Sequence, residues 1–129
     1  MQCARDIMNE DVVTVSPKST VEEAIELLLD QCISGLPVTD PEGKLIGIVT
    51  EFALLAIAYD ESVLKESVDK HMTTDLITVN PQDSIRTVAD LCLVHRVRRL
   101  PVVQEGRLVG LIARRDVLQG VYEAVSASC

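Results

Sequence analysis

A chain of 129 residues that is 47% hydrophobic can bury a core, which excludes a disordered tail, and its apolar runs are far too short to span a bilayer. Aromatics make up 2%, so the core has to be aliphatic, and a single-stranded nucleic-acid binder would need more stacking rings than Phe52, Tyr59 and Tyr122. A net charge of −8 argues further against DNA and against anionic membrane surfaces.

Read in chain order, Met1–Asp6 lacks a basic start followed by an apolar stretch, so no signal peptide is expected. Val12–Val15 reads as a short strand ended by Pro17. A helix follows, capped either by Ser19 with Glu22 or by Thr20 with Glu23, with Val21, Ala24, Ile25, Leu28 and Leu29 on one face. Leu36–Thr39 and Leu45–Val49 read as two strands joined by the turn Asp40-Pro41-Glu42-Gly43, and Glu51–Tyr59 as a closing helix. Asp60–Lys70 is polar and reads as a partly helical connector.

The same order then recurs. Leu76–Val79 and Pro81 precede a helix capped by Ser84, with Ile85, Val88, Ala89 and Cys92 on its face. Strands Leu100–Val103 and Leu108–Ile112 flank Glu105-Gly106, and Arg114–Val125 closes the copy. The repeat is literal: from Met8/Met72 to Leu36-Pro37-Val38/Leu100-Pro101-Val102 the offset is 64 residues, and past the unmatched Pro41 it is 63, giving 15 identities over 47 positions. The strands are almost wholly apolar, so both faces of each should be covered. A half this small buries little core alone. The expected architecture is therefore α/β, two β-α-β-β-α repeats packed through their sheets with pseudo-two-fold symmetry and clefts between them. Residues 1–60 form the first repeat, 61–70 the connector and 71–129 the second repeat.

Charge divides unevenly between the copies. Residues 1–64 hold 3 basic and 12 acidic side chains, residues 65–129 hold 9 and 8, and beyond Lys70 every basic residue is arginine, which suits bidentate phosphate contact. Cys3, Cys32, Cys92 and Cys129 form no C-x-x-C pair, and with only His71 and His95 no metal site is expected. Cys32 and Cys92 fall in helical segments and read as small core or boundary residues. Unpaired thiols point to a reducing, cytoplasmic setting.

The duplicated pattern resembles the tandem cystathionine β-synthase (CBS) domain pair, or Bateman module. Asp6–Pro17, the L-P-V-T-D of Leu36–Asp40, the R-R-L-P-V-V of Arg98–Val103, and the hairpins Gly43–Thr50 and Gly106–Ile112 carry the resemblance twice in register, over residues 4–125. It implies a regulatory module that senses an adenosyl ligand such as AMP, ADP, ATP or S-adenosylmethionine. It also implies a disc-like homodimer and an effector protein that reads the signal, and it implies neither enzymatic turnover nor a required cofactor.

Family members with such ligands resemble one another in a motif with Thr or Ser at its fourth position and Asp at its seventh. The hydroxyl and helix N–H groups meet a ribose or phosphate oxygen, and the carboxylate accepts from the ribose diol. Here Gly47–Ala53 keeps Thr50 but has Ala53 at the Asp place, and Gly110–Asp116 keeps Asp116 but has Ala113 at the Thr place. The resemblance thus implies a site on Asp116, Ile77, Thr78, Val97, Arg98, Arg99 and Arg115, with Thr50 and Thr14 as the first-repeat counterparts. Strand alternation puts Arg98 and Arg99 on opposite faces. The alternative reading is a ligand-free oligomerisation module, because each motif copy lacks one polar group.

Overall fold

The computed structural model describes residues 2–127; Cys129 lies outside them. In chain order the regular elements are α1 (Ala4–Ile7), α2 (Val21–Gln31), β1 (Gly35–Thr39), β2 (Leu45–Thr50), α3 (Glu51–Leu54), α4 (Ile85–His95), β3 (Arg99–Gln104), β4 (Arg107–Ala113) and α5 (Arg114–Ala127). Three 3₁₀ turns, Leu55–Ala58, Glu61–Lys65 and Val68–Lys70, lie between α3 and α4. The chain divides into two compact units, Val13–Leu76 and Met1–Val12 joined by Ile77–Cys129. We call them the first and second unit. Each takes the body of one repeat and the opening segment of the other.

In the first unit, Thr20 rather than Ser19 caps α2, its hydroxyl accepting from Glu23 N at 3.1 Å. Ser19 Oγ accepts from Ser16 N instead. The helix stops at Cys32, whose φ of 54° is left-handed and whose N–H returns to Leu28 and Leu29 carbonyls. Cys32 is consequently exposed, where a small core or boundary residue was the expectation. β1 and β2 pair antiparallel, and the Asp40 carboxylate closes their turn by accepting from Glu42 N and Lys44 N at 2.9 Å each. Gly43, at φ 84°, takes the conformation a side chain would resist. Leu36, Val38 and Val49 are fully buried, with Val21, Ala24 and Leu28 of α2 against them.

The expected strands Val12–Val15 and Leu76–Val79 are single bridges rather than strands. Val15 N donates to Pro37 O and Val15 O accepts from Thr39 N, at 3.1 and 3.0 Å, a parallel step against β1. Pro17 then offers no N–H and the chain turns at Ser16–Ser19. Val79 repeats the pair against Pro101 and Val103 at 3.0 and 2.8 Å. The expected helix Glu51–Tyr59 is also revised: it is α-helical only to Leu54 and 3₁₀ to Ala58.

The second unit is built alike. Ser84 caps α4 through Thr87 N at 3.1 Å, and Arg96, at φ 53°, ends it as Cys32 ends α2. With no counterpart of Pro41, the β3–β4 turn is a two-residue one in which Glu105 and Gly106 both have positive φ. Leu100, Val102, Ile112 and Val88 are fully buried.

Opening segments dock by the same bonds in both units. Val68 N donates to Ser19 O and Ala4 N to Asp83 O, each at 2.8 Å. Val21 N donates to Glu66 O at 2.9 Å and Ile85 N to Gln2 O at 3.4 Å. Thr73 exchanges both backbone bonds with Ile48, and Asn9 does so with Leu111. Farther in, a Cβ on Gly47 would lie 2.5 Å from Met72 Sδ, and one on Gly110 2.5 Å from Met8 Sδ. The repeated methionines and glycines of the sequence are thus packing partners, each methionine seated over a bare strand position of the other repeat.

Candidate functional site

The residues expected to form a site in the second repeat lie on segments that meet at one end of the β3–β4 hairpin. Arg99 starts β3 and pairs with Ala113, the last residue of β4, and Arg98 O accepts from Arg114 N at 3.0 Å. Asp116, on the first turn of α5, turns its Oδ2 back to accept from Ala113 N at 2.9 Å. Along the other edge of β3, Val79 bridges Val102 in parallel, so Ile77 and Thr78 approach from the same end. Thr78, Arg98 and Arg115 are exposed, while Ile77, Val97, Arg99 and Asp116 are half-buried. Arg98 and Arg99 differ in exposure as the strand alternation requires.

Thr14 and Thr50 belong to the first unit and form the corresponding set there. Thr14 is exposed beside the Val15 bridge. Thr50 caps α3, its Oγ1 accepting from Ala53 N at 3.3 Å. A Thr-x-x-Asp sequence at a strand-to-helix turn would make a reciprocal capping box, the hydroxyl accepting from the fourth N–H and the carboxylate from the first. Each repeat keeps one arm of that box: Thr50 in the first, Asp116 in the second. The missing group alters the polar surface without unmaking the turn.

Asp116 also faces a small, mostly polar pocket of about 220 Å³ with Gln2, Asp6, Gln119 and Glu123. The Asp6 carboxyl is held below its ordinary range by the Cys3 backbone N–H, bonded to Oδ2 at 2.9 Å. Sequence reasoning missed these neighbours: Gln2 and Asp6 have no identical counterpart at the repeat offset, so nothing marked them as part of this unit. Among the described residues no cluster of three or more His, Cys, Asp or Glu could hold a metal ion, and no helix is long and apolar enough to cross a membrane.

The backbone plan and its duplication define a class of fold, a tandem α/β repeat in which each two-stranded hairpin is flanked by helices. The CBS domain family model matches residues 4–60 and again 66–123, and the chain belongs to that family. An uncharacterized protein of Methanocaldococcus jannaschii is 36% identical over 115 residues, which cover 89% of this chain and 41% of that protein. Inosine-5'-monophosphate dehydrogenase of the same organism is 39% identical over 117 residues, 90% of this chain and 23% of the enzyme. This chain therefore spans under half the length of either relative. The crystal structure of CBSX2 in complex with AMP, a protein of Arabidopsis thaliana, is 30% identical, with a TM-score of 0.85 and coverage of 96% of this chain and 98% of that one.

Proposed function

We propose that this chain is a regulatory module that binds an adenine nucleotide or another adenosyl compound at the Asp116 end of the second unit. The observation that carries the reading is the convergence of Asp116, Thr78 and the Val97–Arg99 backbone on one hairpin end, in a chain 30% identical to a CBS pair crystallised with AMP. Asp116 accepts from the ribose hydroxyls, charge-assisted and in two directions. Ile77 and Val97 supply apolar walls for the base, and Thr78 a hydroxyl at its edge. The α5 N-terminus with Arg98, Arg99 and Arg115 supplies positive potential for phosphate. In the first unit Thr50 is spent on Ala53 N and Ala53 supplies no carboxylate, so the site with Thr14 is the weaker one. Binding shifts the population of conformations, and a separate effector protein in the cytoplasm reads the shift without any turnover of the ligand.

A thermal-shift panel with AMP, ADP, ATP and S-adenosylmethionine tests this. A ligand at a hundred times its Kd stabilises the fold by about 2.7 kcal/mol. The shift is expected from one adenosyl ligand and disappears in Asp116→Ala. Asp116→Asn retains an oxygen for Ala113 N, which separates loss of the cap from loss of the ligand. No shift from any member of the panel would favour the ligand-free module.

A second reading rests on exposed apolar helix faces. Phe52 is 83%, Leu29 71%, Leu118 70% and Tyr122 69% exposed, more than a solitary chain needs to leave in water. We propose that two copies pair through such faces as a disc-like homodimer, with or without ligand. Sedimentation equilibrium on wild type, Phe52→Ser and Tyr122→Ser tests it: a dimer that the substitutions convert to monomer is expected, and a monomeric wild type overturns it.

A further inference from the structure

Each unit leaves the same three apolar side chains in water. Leu29 on α2 corresponds to Leu93 on α4 at the 64-residue offset, and Leu55 and Tyr59 correspond to Leu118 and Tyr122 on α5 at the 63-residue offset. All six are between 64% and 95% exposed. Leu29 and Leu55 line one groove of about 270 Å³ with Phe52, and α4 packs on α5 in the second unit as α2 does on α3 in the first. Each set therefore belongs to one helix-pair face rather than to scattered positions. The charges around the two faces differ in sign. Glu51 lines the first groove beside Leu28. At the repeat offset Glu51 corresponds to Arg114 and Leu28 to Cys92. Burial raises the Cys92 thiol and Arg114 draws it back down, so the guanidinium lies near α4 as Glu51 lies near α2. Along α2 the charged residues are Glu22, Glu23, Glu26 and Asp30, all acidic, whereas α4 has Arg86 in the place of Glu22 and Val94 in the place of Asp30. Glu51 and Arg114 are both exposed.

We infer that two copies of this chain associate head to tail, the first-unit face of one on the second-unit face of the other. A face set against its own equivalent brings acidic rim to acidic rim, or Arg114 to Arg114, and like charges at a contact are costly. Set against the other unit's face, the same leucines and tyrosine bury one another while Glu51 meets the basic rim and Arg114 the acidic one. In a two-fold pair this contact is made twice. The orientation rests on the homodimer proposed for the chain and names which units meet in it. It does not depend on the identity of any small ligand.

Sedimentation equilibrium on the full chain tests it, with wild type, Glu51→Arg, Arg114→Glu and the double variant compared at low ionic strength. Each single reversal sets like charges together and should raise the dimer Kd about tenfold or more. The double variant restores opposite charges across both contacts and should return the Kd close to wild type. Both side chains are exposed, so far-UV circular dichroism of all three variants should match wild type. Wild type supplies a second measurement without any substitution: its Kd should rise as NaCl is added, because salt screens an attraction between opposite rims. Like rims would instead pair more tightly as their repulsion is screened. A dimer whose Kd falls with NaCl, that tolerates both single reversals, or that the double variant does not restore overturns the head-to-tail orientation and leaves the homodimer standing. A wild type that stays monomeric overturns both together.

Discussion

The first and second units share, at the repeat offset, the backbone bonds that dock their opening segments and bridge Val15 and Val79, and differ in the polar groups hung on them. Where Glu66 Oε1 meets His71 Nε2 at 2.7 Å in the first unit, the second has Gln2 and Ile7, and Gln2 Oε1 is buried without a hydrogen-bond partner. Where the first keeps Thr50, the second keeps Asp116. The first buries Val63 of its Glu61–Lys65 turn in its own core, and the second carries a groove lined by Ile85, Ala89, Val121 and Ala124. Duplicated framework bonds are hard to change because an unpaired buried N–H or C=O is costly, whereas a half-exposed side chain can be lost cheaply. The two units therefore match in these framework bonds and differ in the side chains set around them.

The largest effect that would break this equivalence comes from the cores. Leu36→Ala and Leu100→Ala remove corresponding, fully buried side chains and should each cost about 2–5 kcal/mol in urea denaturation. A markedly cheaper Leu100→Ala would mean that the second unit collapses around the cavity more easily.

Next come the glycines beneath the methionines. Gly47→Ala and Gly110→Ala each overpack a methionine and should cost about 1–3 kcal/mol. The two should differ in rescue. The new Cβ at 110 meets only Met8 side-chain atoms among its nearest neighbours, so Met8→Ala should recover much of the loss. At 47 it also meets Thr73 O at 3.0 Å, a backbone atom that Met72→Ala cannot move, so rescue there should be partial.

Smaller still are the helix caps. Thr20→Ala and Ser84→Ala each strip one N-terminal bond and should cost about 0.5–2 kcal/mol, equal in the two units if the caps act alone. Each hydroxyl has a second contact, Thr20 Oγ1 donating to Glu23 Oε1 at 3.2 Å and Ser84 Oγ lying 3.1 Å from Thr87 Oγ1, so a difference between the two losses would compare those contacts.

The smallest effect is in acid. Ser67 Oγ donates to Asp69, with Lys18 Nζ at 3.4 Å, and these hold the Asp69 carboxyl below its ordinary value of 3.8. A carboxyl with a lowered folded pKa stabilises the fold above the unfolded value and ceases to do so as pH falls through the folded one. The Tm should therefore drop below pH 4, and Asp69→Asn in the first unit and Asp6→Asn in the second should each flatten that drop. A steeper response from one variant would show which opening segment detaches first.

Much of this was legible before folding. The α2, α4 and hairpin positions followed from apolar periodicity and from Pro, Gly and capping residues, all local signals. Val15 and Val79 were misread as parts of strands because two β-branched residues before a proline look the same whether they make one bridge or a ladder. The Asp116 turn was visible through its motif resemblance, but Gln2 and Asp6 beside it were not, since nothing local tells an opening segment which body it will dock on.

By itself the sequence determined the duplication, the aliphatic core and the side chains available at each motif turn, because these depend on residue type and spacing along the chain. Only the tertiary structure decided that each opening segment crosses to the other repeat's body and that Met8 and Met72 sit on Gly110 and Gly47. Those outcomes depend on which surfaces exclude water most completely when distant segments meet, and sequence separation carries no record of that.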